Sequence, residues 1–394
     1  MTYPTKKLWE IAKYINWKAF KPSDWKIEGL PIVRIQNLNW KNTYNYFDGD
    51  IEDKYVFNNW DILISWSASL DVYIWNWWKA VLNQHIFKVE IDENIVNKQF
   101  FYYLIKNSLA EIIHNTHWVW MKHITKWNFE KIETIFPPLS TQKLIVQKLD
   151  IAFKNIDESI NITKNNIANI EELNKSILEW IYTESKFNEI ELWNKDYLEI
   201  VDWDRWKQYP KKSEFTEKGF CLFLNTSNVR KWFFKFEKLD FITKEKYNLL
   251  WKWKAYKNDI ILTTRWTIWN TALVEDDFPY EKIRINSWMV ILRNNLDLLF
   301  PKYLIHFINS SNFNNQKNSL VSWSAQPQLP IWVMKQIKIP LPPLEKQKEI
   351  VSYLDEVFEK NKVIKEWYEN KLKDLEEMKQ SILKEAFEWR LIKE

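Results

Sequence analysis

The sequence predicts an α+β fold in which two mixed α/β globular domains alternate with two long helices. Three observations predict it. One segment of the chain occurs twice, each copy has helical periodicity, and the regions before the copies contain short β-forming runs. The expected boundaries are 1–137 for the first domain, 138–185 for the first long helix, 186–341 for the second domain and 342–394 for the second long helix.

The repeat is visible by direct alignment. Residues 137–179 match residues 342–384 at a constant offset of 205 without a gap, and 16 of the 43 aligned positions are identical. Both copies begin with Pro-Pro-Leu, and Gln142 matches Gln347. This period is far too long for a solenoid, so the chain is a duplicated module with an internal pseudo-two-fold relation.

Each copy of the repeat is predicted to be one long helix. The Pro-Pro pair marks its start, and neither Pro nor Gly follows. Apolar residues recur at steps of three and four through Ile145, Leu149, Ala152, Ile156, Ile160, Ile167, Ile170, Leu173 and Ile177, and through Ile350, Leu354, Val357, Ile364, Tyr368, Leu372, Leu375, Met378 and Ile382. So narrow a stripe is typical of a coiled coil. At 1.5 Å per residue each rod is roughly 65 Å long, and the two rods most simply pack on each other.

The regions between the repeats are predicted to be globular and partly β. The β-rich runs are 30–38, 61–69, 85–91, 220–229, 258–268 and 289–293. Each domain also has a helical stretch before its repeat, at 98–113 and 301–316. The domains echo each other, because the run that starts at Asp61 matches the run that starts at Asp259, and Asn83 matches Asn286.

Composition excludes several classes of protein. The chain has 394 residues, of which 46% are hydrophobic and 27% charged, with a net charge of +4. These values exclude a disordered chain, a collagen-like chain and a membrane protein. A lone cysteine, Cys221, excludes a disulfide framework, and with no apolar leader in view a cytoplasmic protein is expected. The first and second domains carry net charges of +1 and +7, and each long helix −2, which is a mild indication of nucleic-acid binding.

The sequence has no recognisable catalytic, cofactor or metal site. There is no GxxxxGK[ST] phosphate loop, no GxGxxG loop and no GxSxG elbow. His114, His117 and His123 are close in sequence, but Glu111 is the only nearby acid, so surface histidines are the simpler interpretation. We therefore expect a chain without catalysis of its own.

The order of its motifs resembles that of the specificity subunit of type I restriction–modification systems, and the resemblance covers the whole chain. In the first half the matching segments are 63–75, 83–89 and MKHITK at 121–126, which runs into Pro-Pro-Leu. In the second half they are 261–274, 322–351 and 380–391. Each segment is weak alone, but the duplicated set in this order is specific.

The resemblance implies a fold, a role and partners. Each globular domain would be a target-recognition domain that reads one half of a split sequence in double-stranded DNA. The two long helices would form an antiparallel coiled coil, hold the domains a fixed distance apart and dock two methyltransferase subunits. Restriction/translocase subunits would complete the complex, and S-adenosylmethionine, ATP and Mg²⁺ would be bound by these partners and not by this chain. A methylation-only or orphan subunit is an open alternative.

Candidate DNA-contacting residues are polar side chains in turn-rich segments at the ends of predicted strands. The candidates of the first domain are Arg34, Gln36, Asn37, Ser65, Ser67, Lys122 and His123. Those of the second domain are Asn225, Ser227, Arg230, Lys231, Thr264, Arg265, Gln326 and Gln328. An ordinary turn or capping role is the alternative for each of them. Gln142 and Gln347 are assigned to helix capping or subunit docking.

Two other classes of function are compatible with parts of the pattern. A coiled-coil scaffold with two protein-binding domains would show no salt-dependent affinity for DNA, whereas phosphate contacts produce a strong salt dependence. A self-contained methyltransferase or nuclease would act as the purified chain alone.

The counts of glycine and tryptophan are anomalous, at 3 and 26. An ordinary protein is about 7% Gly. Many tryptophans follow Asn or stand at turn positions, including Trp40, Trp60, Trp77, Trp78 and Trp269. One hypothesis is that a reassigned stop codon, read as Gly in the source organism, is written here as Trp; Trp66, Trp75 and Trp25 fit the resemblance as genuine Trp. The alternative is a Trp-rich surface for base stacking.

Overall fold

The computed structural model describes residues 3–39, 41–67, 70–115, 129–183, 187–192, 194–202, 209–250, 253–264, 269–320 and 336–388. The chain divides into two compact units, one formed by Met1–Lys164 with Asn370–Glu394 and the other by Asn165–Glu369. Each unit therefore contains one globular region and parts of both long helices. No helix in the described part of the chain is both long enough and apolar enough to cross a membrane.

The strands of the first unit form three sheets. The strands are β1 (Thr5–Lys7), β2 (Ala12–Ile15), β3 (Leu30–Val33), β4 (Asn45–Phe47), β5 (Val56–Phe57), β6 (Ile62–Ser65), β7 (Asp71–Ile74), β8 (Ala80–Leu82), β9 (Ile86–Ile91) and β10 (Glu133–Ile135). One four-stranded sheet has the order β2-β9-β6-β7 and is antiparallel throughout. The other has the order β4-β3-β8-β5, with β3 and β8 parallel, and β1 pairs with β10.

Burial on both faces explains why residues 62–64 of β6 are all apolar. All four of its residues are buried, because one face joins the core with the helices and the other packs against the second sheet. Ile62 and Ile64 belong to the first of these cores, and Leu63 lies with Val33 and Leu82 in the second. The helical elements of the globular region are α1 (Leu8–Ile11), α2 (Ile35–Leu38) and α3 (Lys98–Asn115).

The second unit repeats this plan strand by strand. Its strands are β11 (Glu189–Glu191), β12 (Leu198–Val201), β13 (Cys221–Leu224), β14 (Asp240–Ile242), β15 (Lys254–Ala255), β16 (Ile260–Thr263), β17 (Thr271–Leu273), β18 (Ile283–Ile285), β19 (Met289–Asn294) and β20 (Lys338–Pro340). The sheet orders are β12-β19-β16-β17, β14-β13-β18-β15 and β11-β20, with β13 and β18 parallel. The matches of Asp61 with Asp259 and of Asn83 with Asn286 are thereby confirmed, since each pair flanks equivalent strands.

The helical stretch of the second globular region differs from the prediction in one respect. It is divided into α6 (Pro301–Ile308) and α7 (Ser311–Leu320), and a separate short helix, α5 (Lys244–Leu249), precedes it. The Ser310 hydroxyl donates to the carbonyl of Phe307 and accepts from the N–H of Phe313, so it satisfies backbone groups at the break.

The two repeats are the long helices α4 (Leu139–Thr183) and α8 (Leu344–Phe387). In the first unit, Leu149 of α4 and Ala386 of α8 belong to one apolar core. In the second unit, Glu171 of α4 pairs with Lys365 of α8, and Asn174 of α4 pairs with Asn361 of α8. Residues further along α4 therefore contact residues earlier in α8. The helices therefore pack antiparallel, and the predicted fold class is confirmed.

The apolar stripe predicted along the long helices is interrupted by polar residues. Leu173, Ile364 and Met378 were expected in the stripe but are exposed. The buried position is taken instead by Asn361, whose amide lies 2.6 Å from Asn174. Asn361 is buried and Asn174 is half-buried, and such a polar pair in a coiled coil costs stability but favours one register, since a shift leaves an amide unpaired.

Gln142 and Gln347 connect the long helices to their globular regions. Both are fully buried. Oε1 of Gln142 accepts from the N–H of Asn97 at 2.8 Å, and its Nε2 donates to the carbonyls of Ile95 and Pro137. Gln347 makes the same three bonds with Phe300, Leu298 and Pro342. The glutamines are thus structural clamps between each helix start and the turn before α3 or α6.

Candidate nucleic-acid interface

A polar edge forms in the first unit where parallel strands end together. Because β3 and β8 run parallel, the turn Arg34–Leu38 after β3 lies beside Asn83–His85 after β8. The neighbouring sheet contributes the end of β6, where the N–H of Trp66 donates to the carbonyl of His85 at 3.3 Å. A small cavity of about 210 Å³ lies between these segments, lined by Arg34, Ile35, Gln36, Asn83, His85 and Ile86.

Asn37 holds this edge in shape. Its Oδ1 accepts from the N–H of Arg34 at 3.0 Å, and its Nδ2 donates to the carbonyls of Lys41 and Thr43, each at 2.9 Å. The side chain is 2% exposed. All three hydrogen bonds of the side chain are therefore made with backbone atoms of the loop. Asn37 thus holds the loop in shape and positions the neighbouring side chains.

The second unit builds the same turn from different residues. Oδ1 of Asn228 accepts from the N–H of Asn225 at 2.9 Å, and Nδ2 donates to the carbonyls of Lys235 and Lys238. This turn follows β13 and lies beside Asn286, which follows β18. Asn228 is therefore the structural equivalent of Asn37. It is not among the contact residues that the sequence predicts, although the spacing of Arg34 and Asn37 recurs in Asn225 and Asn228.

The side chains presented by the two turns differ. Gln36 is exposed, and Arg34 is half-buried with its guanidinium 4.6 Å from the ring of Trp25. Among the described residues, Nη2 of Arg34 has no hydrogen-bond acceptor. In the second unit Ser227 and Lys231 are exposed, and Arg230 is half-buried with a bond from Nη1 to its neighbour's carbonyl. The two edges thus share a backbone frame and offer different donors and acceptors.

Asn225 is more engaged than its exposed neighbours. Its Nδ2 donates to Oδ2 of Asp240 at 2.6 Å, and its Oδ1 accepts from Nδ2 of Asn286 at 3.3 Å. The network ties the turn after β13 to the segment after β18. Asn83 and Asn286 match each other in the two repeats and both lie at the edge, although neither is among the contact residues that the sequence predicts.

The candidates at the ends of β6 and β16 mainly support turns. Ser65 is buried, and its Oγ accepts from the N–H of Asp71 at 3.1 Å; Ser67 is also buried. Thr263 repeats the role of Ser65 by accepting from the N–H of Asn270 at 3.1 Å. Thr264 is half-buried, and its hydroxyl donates to the carbonyl of Trp288 at 3.0 Å.

Five predicted contact residues lie outside the described part of the chain, namely Lys122, His123, Arg265, Gln326 and Gln328. The histidine group around His117 and His123 also falls outside it. Within the described residues, no group of three or more His, Cys, Asp or Glu side chains is arranged to hold a metal ion.

Comparison with known proteins assigns the family. The model of the type I restriction modification DNA specificity domain matches residues 2–172 and again residues 194–374. The chain is 25% identical over 409 residues to the type I restriction enzyme EcoBI specificity subunit of Escherichia coli, covering 97% of this chain and 84% of that protein. It is 24% identical over 372 residues to the MjaVIII specificity subunit of Methanocaldococcus jannaschii, covering 89% and 85%.

Solved structures agree on the fold. A chain of a type I R-M system, solved in a study of complex assembly and conformational transition, superposes with a TM-score of 0.71 at 15% identity, covering 98% of this chain and 97% of that chain. The HsdS subunit from Thermoanaerobacter tengcongensis gives 0.55 at 15% identity, covering 98% and 96%. With two copies of the family domain, a duplicated fold and a polar edge in each copy, this chain belongs to the family of DNA specificity subunits of type I restriction–modification systems, which recognise sequence and carry no catalysis of their own.

Proposed function

We propose that this chain reads a split sequence in double-stranded DNA, one half with each globular region. The observation that carries the proposal is the duplicated edge. The same buried asparagine frame, Asn37 in one unit and Asn228 in the other, presents Arg34 and Gln36 in the first case and Ser227 and Lys231 in the second. Different side chains on one frame suit a reader of two different half-sites.

The chemistry of the edge fits base and phosphate contacts. An exposed glutamine forms paired hydrogen bonds with adenine, arginine does so with guanine, and lysine neutralises phosphate. The half-buried Arg34 stacks on Trp25, which limits its conformations and lowers the entropy lost when it binds. Lys122, His123, Arg265, Gln326 and Gln328 remain proposed contacts.

The family role supplies the proposed partners. Two methyltransferase subunits, with S-adenosylmethionine as their cofactor, would dock on α4 and α8, and restriction subunits that use ATP and Mg²⁺ would join them. The exposed faces of these helices support the idea, because they carry large apolar side chains open to solvent, such as Ile151, Trp180 and Tyr353.

Replacing Gln36 by alanine is expected to alter recognition of one half-site only. Loss of a paired contact costs about 1–3 kcal/mol of discrimination, or roughly a 5- to 150-fold loss of preference at one or two base pairs. Ser227→Ala is expected to affect the other half-site, with a smaller loss of preference because a hydroxyl makes a single contact. The measurement is sequencing of methylated adenines in DNA modified by the assembled methyltransferase complex.

Asn94→Ala is the matched control. Asn94 is exposed and polar but follows Ile91, at the opposite end of the sheet from the Ser65–Ile86 pair. The control is expected to leave the methylated motif unchanged. If Gln36→Ala and Ser227→Ala assemble normally and also leave both half-sites unchanged, these turns do not read DNA. Affinity of the complex that is independent of salt would contradict DNA binding itself.

A further inference from the structure

Left-handed backbone is concentrated at tryptophans. Within the described residues, five residues other than glycine have positive φ, namely Trp60 (71°), Trp232 (84°), Trp253 (58°), Asn258 (68°) and Trp269 (75°). An L-residue in this region brings Cβ too close to the following carbonyl oxygen, so glycine and, less often, asparagine normally occupy it. Four tryptophans among five such positions are unexpected even in a chain with 26 tryptophans among 394 residues.

The duplication supplies an internal comparison for Trp60. The N–H of Trp60 donates to the carbonyl of Trp75, and Oδ2 of Asp61 accepts from the N–H of Asn58 at 2.8 Å. In the second unit the N–H of Asn258 donates to the carbonyl of Val274, and Oδ2 of Asp259 accepts from the N–H of Tyr256 at 2.8 Å. The turns are equivalent, and the position filled by Trp60 in one copy holds an asparagine in the other.

The side chains of these tryptophans differ in what they gain from their surroundings. Trp60 is 57% exposed and Trp232 is 36% exposed. Trp253 is buried, but its indole Nε1 has no hydrogen-bond acceptor within the described structure. A buried indole N–H ordinarily finds an acceptor. The backbone therefore disfavours tryptophan at all four positions, and the exposed surroundings of Trp60 do not compensate for it.

Other tryptophans behave differently. Trp75 is 1% exposed, has no positive φ, and donates from Nε1 to the carbonyl of Trp78 at 2.7 Å. Trp77 and Trp78, which follow an asparagine in the sequence, also lack left-handed backbone. Backbone geometry thus separates tryptophans that suit their sites from tryptophans that stand where glycine is required, and it adds Trp232 and Trp253 to the positions that turn patterns indicate.

We infer that positions 60, 232, 253 and 269 are glycine in the protein as its own cells make it, because the codon behind them is read there as glycine. The three glycines of the sequence are then fewer than half of the glycines in the native protein. The contacts of Trp232 with His306 and Phe358, and of Trp269 with Phe313, do not exist in the native protein. These indoles are not stacking platforms for bases.

Substitution at position 60 tests the backbone argument in the full chain. Trp60→Gly is expected to raise the midpoint of thermal unfolding by about 2–4 °C, since it removes the strain of one left-handed residue. Trp60→Asn is expected to give a smaller rise, as Asn258 indicates, and Trp60→Ala little change because it keeps Cβ. Trp367→Gly, at an exposed position in the middle of α8, is expected to lower the midpoint.

A lower midpoint for Trp60→Gly than for the parent chain would overturn the inference for that turn. Peptide mass spectrometry of the protein from its native cells tests all four positions directly. Glycine at 60, 232, 253 and 269 is the expected result, and tryptophan in those peptides overturns the inference.

Discussion

Replacing Gln347 by leucine is expected to lower the free energy of unfolding by about 3–5 kcal/mol. The substitution removes three hydrogen bonds and leaves the N–H of Phe300 and the carbonyls of Leu298 and Pro342 without partners in a fully buried position. Each buried backbone group left without a partner costs about 1–3 kcal/mol. The midpoint of urea unfolding, followed by circular dichroism, measures the change.

Gln142→Leu is expected to have a similar effect on the first unit, because its three bonds are equivalent. Gln380→Leu is the control. Gln380 is exposed on the same helix as Gln347, so its replacement is expected to change stability by less than about 0.5 kcal/mol. If Gln347→Leu is as mild as Gln380→Leu, the clamp does not join helix and domain.

The second large effect is expected for Arg293→Met. Asp259 has a side chain only 3% exposed, and Arg293 binds it through Nε at 3.0 Å and Nη2 at 2.8 Å. Burial raises the pKa of Asp259 above its ordinary value, and hydrogen bonds from Arg293 and from the N–H of Tyr256 offset only part of that rise. Removing Arg293 leaves a buried charge without its partner, which costs about 3–5 kcal/mol near pH 7.

The effect of Arg293→Met is expected to depend on pH. Without Arg293 the pKa of Asp259 in the folded state rises further above the value of about 3.9 in the unfolded chain. The folded state then binds a proton that the unfolded chain does not hold between those two values. The destabilisation is therefore full above the folded-state pKa and declines as the pH falls toward 3.9. Urea midpoints of variant and parent at several pH values measure this.

Two further variants serve as a rescue and a control for Arg293→Met. Asp259→Asn combined with Arg293→Met removes the buried charge and is expected to recover part of the loss. Lys282→Met removes a cation whose partner, Glu281, is 88% exposed, and is expected to be nearly neutral. A pH-independent loss in Arg293→Met would show that packing of the long side chain, and not the charge of Asp259, governs its stability.

Local patterns predicted the long helices well, because a helix is built from contacts three and four residues apart. The start after Pro137-Pro138 and the buried residues Leu149, Ile156 and Leu354 all follow from periodicity. The same periodicity was wrong at Leu173 and Ile364, since the choice of buried residues there depends on Asn174 and Asn361, which are far apart in the chain.

The candidate interface was only partly predictable. Turn-rich segments after strands pointed to Arg34, Gln36 and Ser227, and the structure places them at the edges formed by the parallel pairs β3–β8 and β13–β18. The sequence did not distinguish the role of Gln36 from that of Asn37. Gln36 is exposed, whereas Asn37 is buried and makes three hydrogen bonds with backbone. That difference depends on carbonyls at Lys41 and Thr43, whose positions only the folded loop determines.

The sequence by itself determined the duplication, the two long helices, the domain order and the resemblance to a family, because each is recorded in residue order or in local periodicity. Tertiary structure decided which polar residues face outward, how Gln142 and Gln347 clamp helix to domain, and which tryptophans stand in left-handed backbone. The physical reason is that burial, hydrogen-bond partners and φ are set by contacts between segments distant in the chain, and a single sequence does not record those contacts directly.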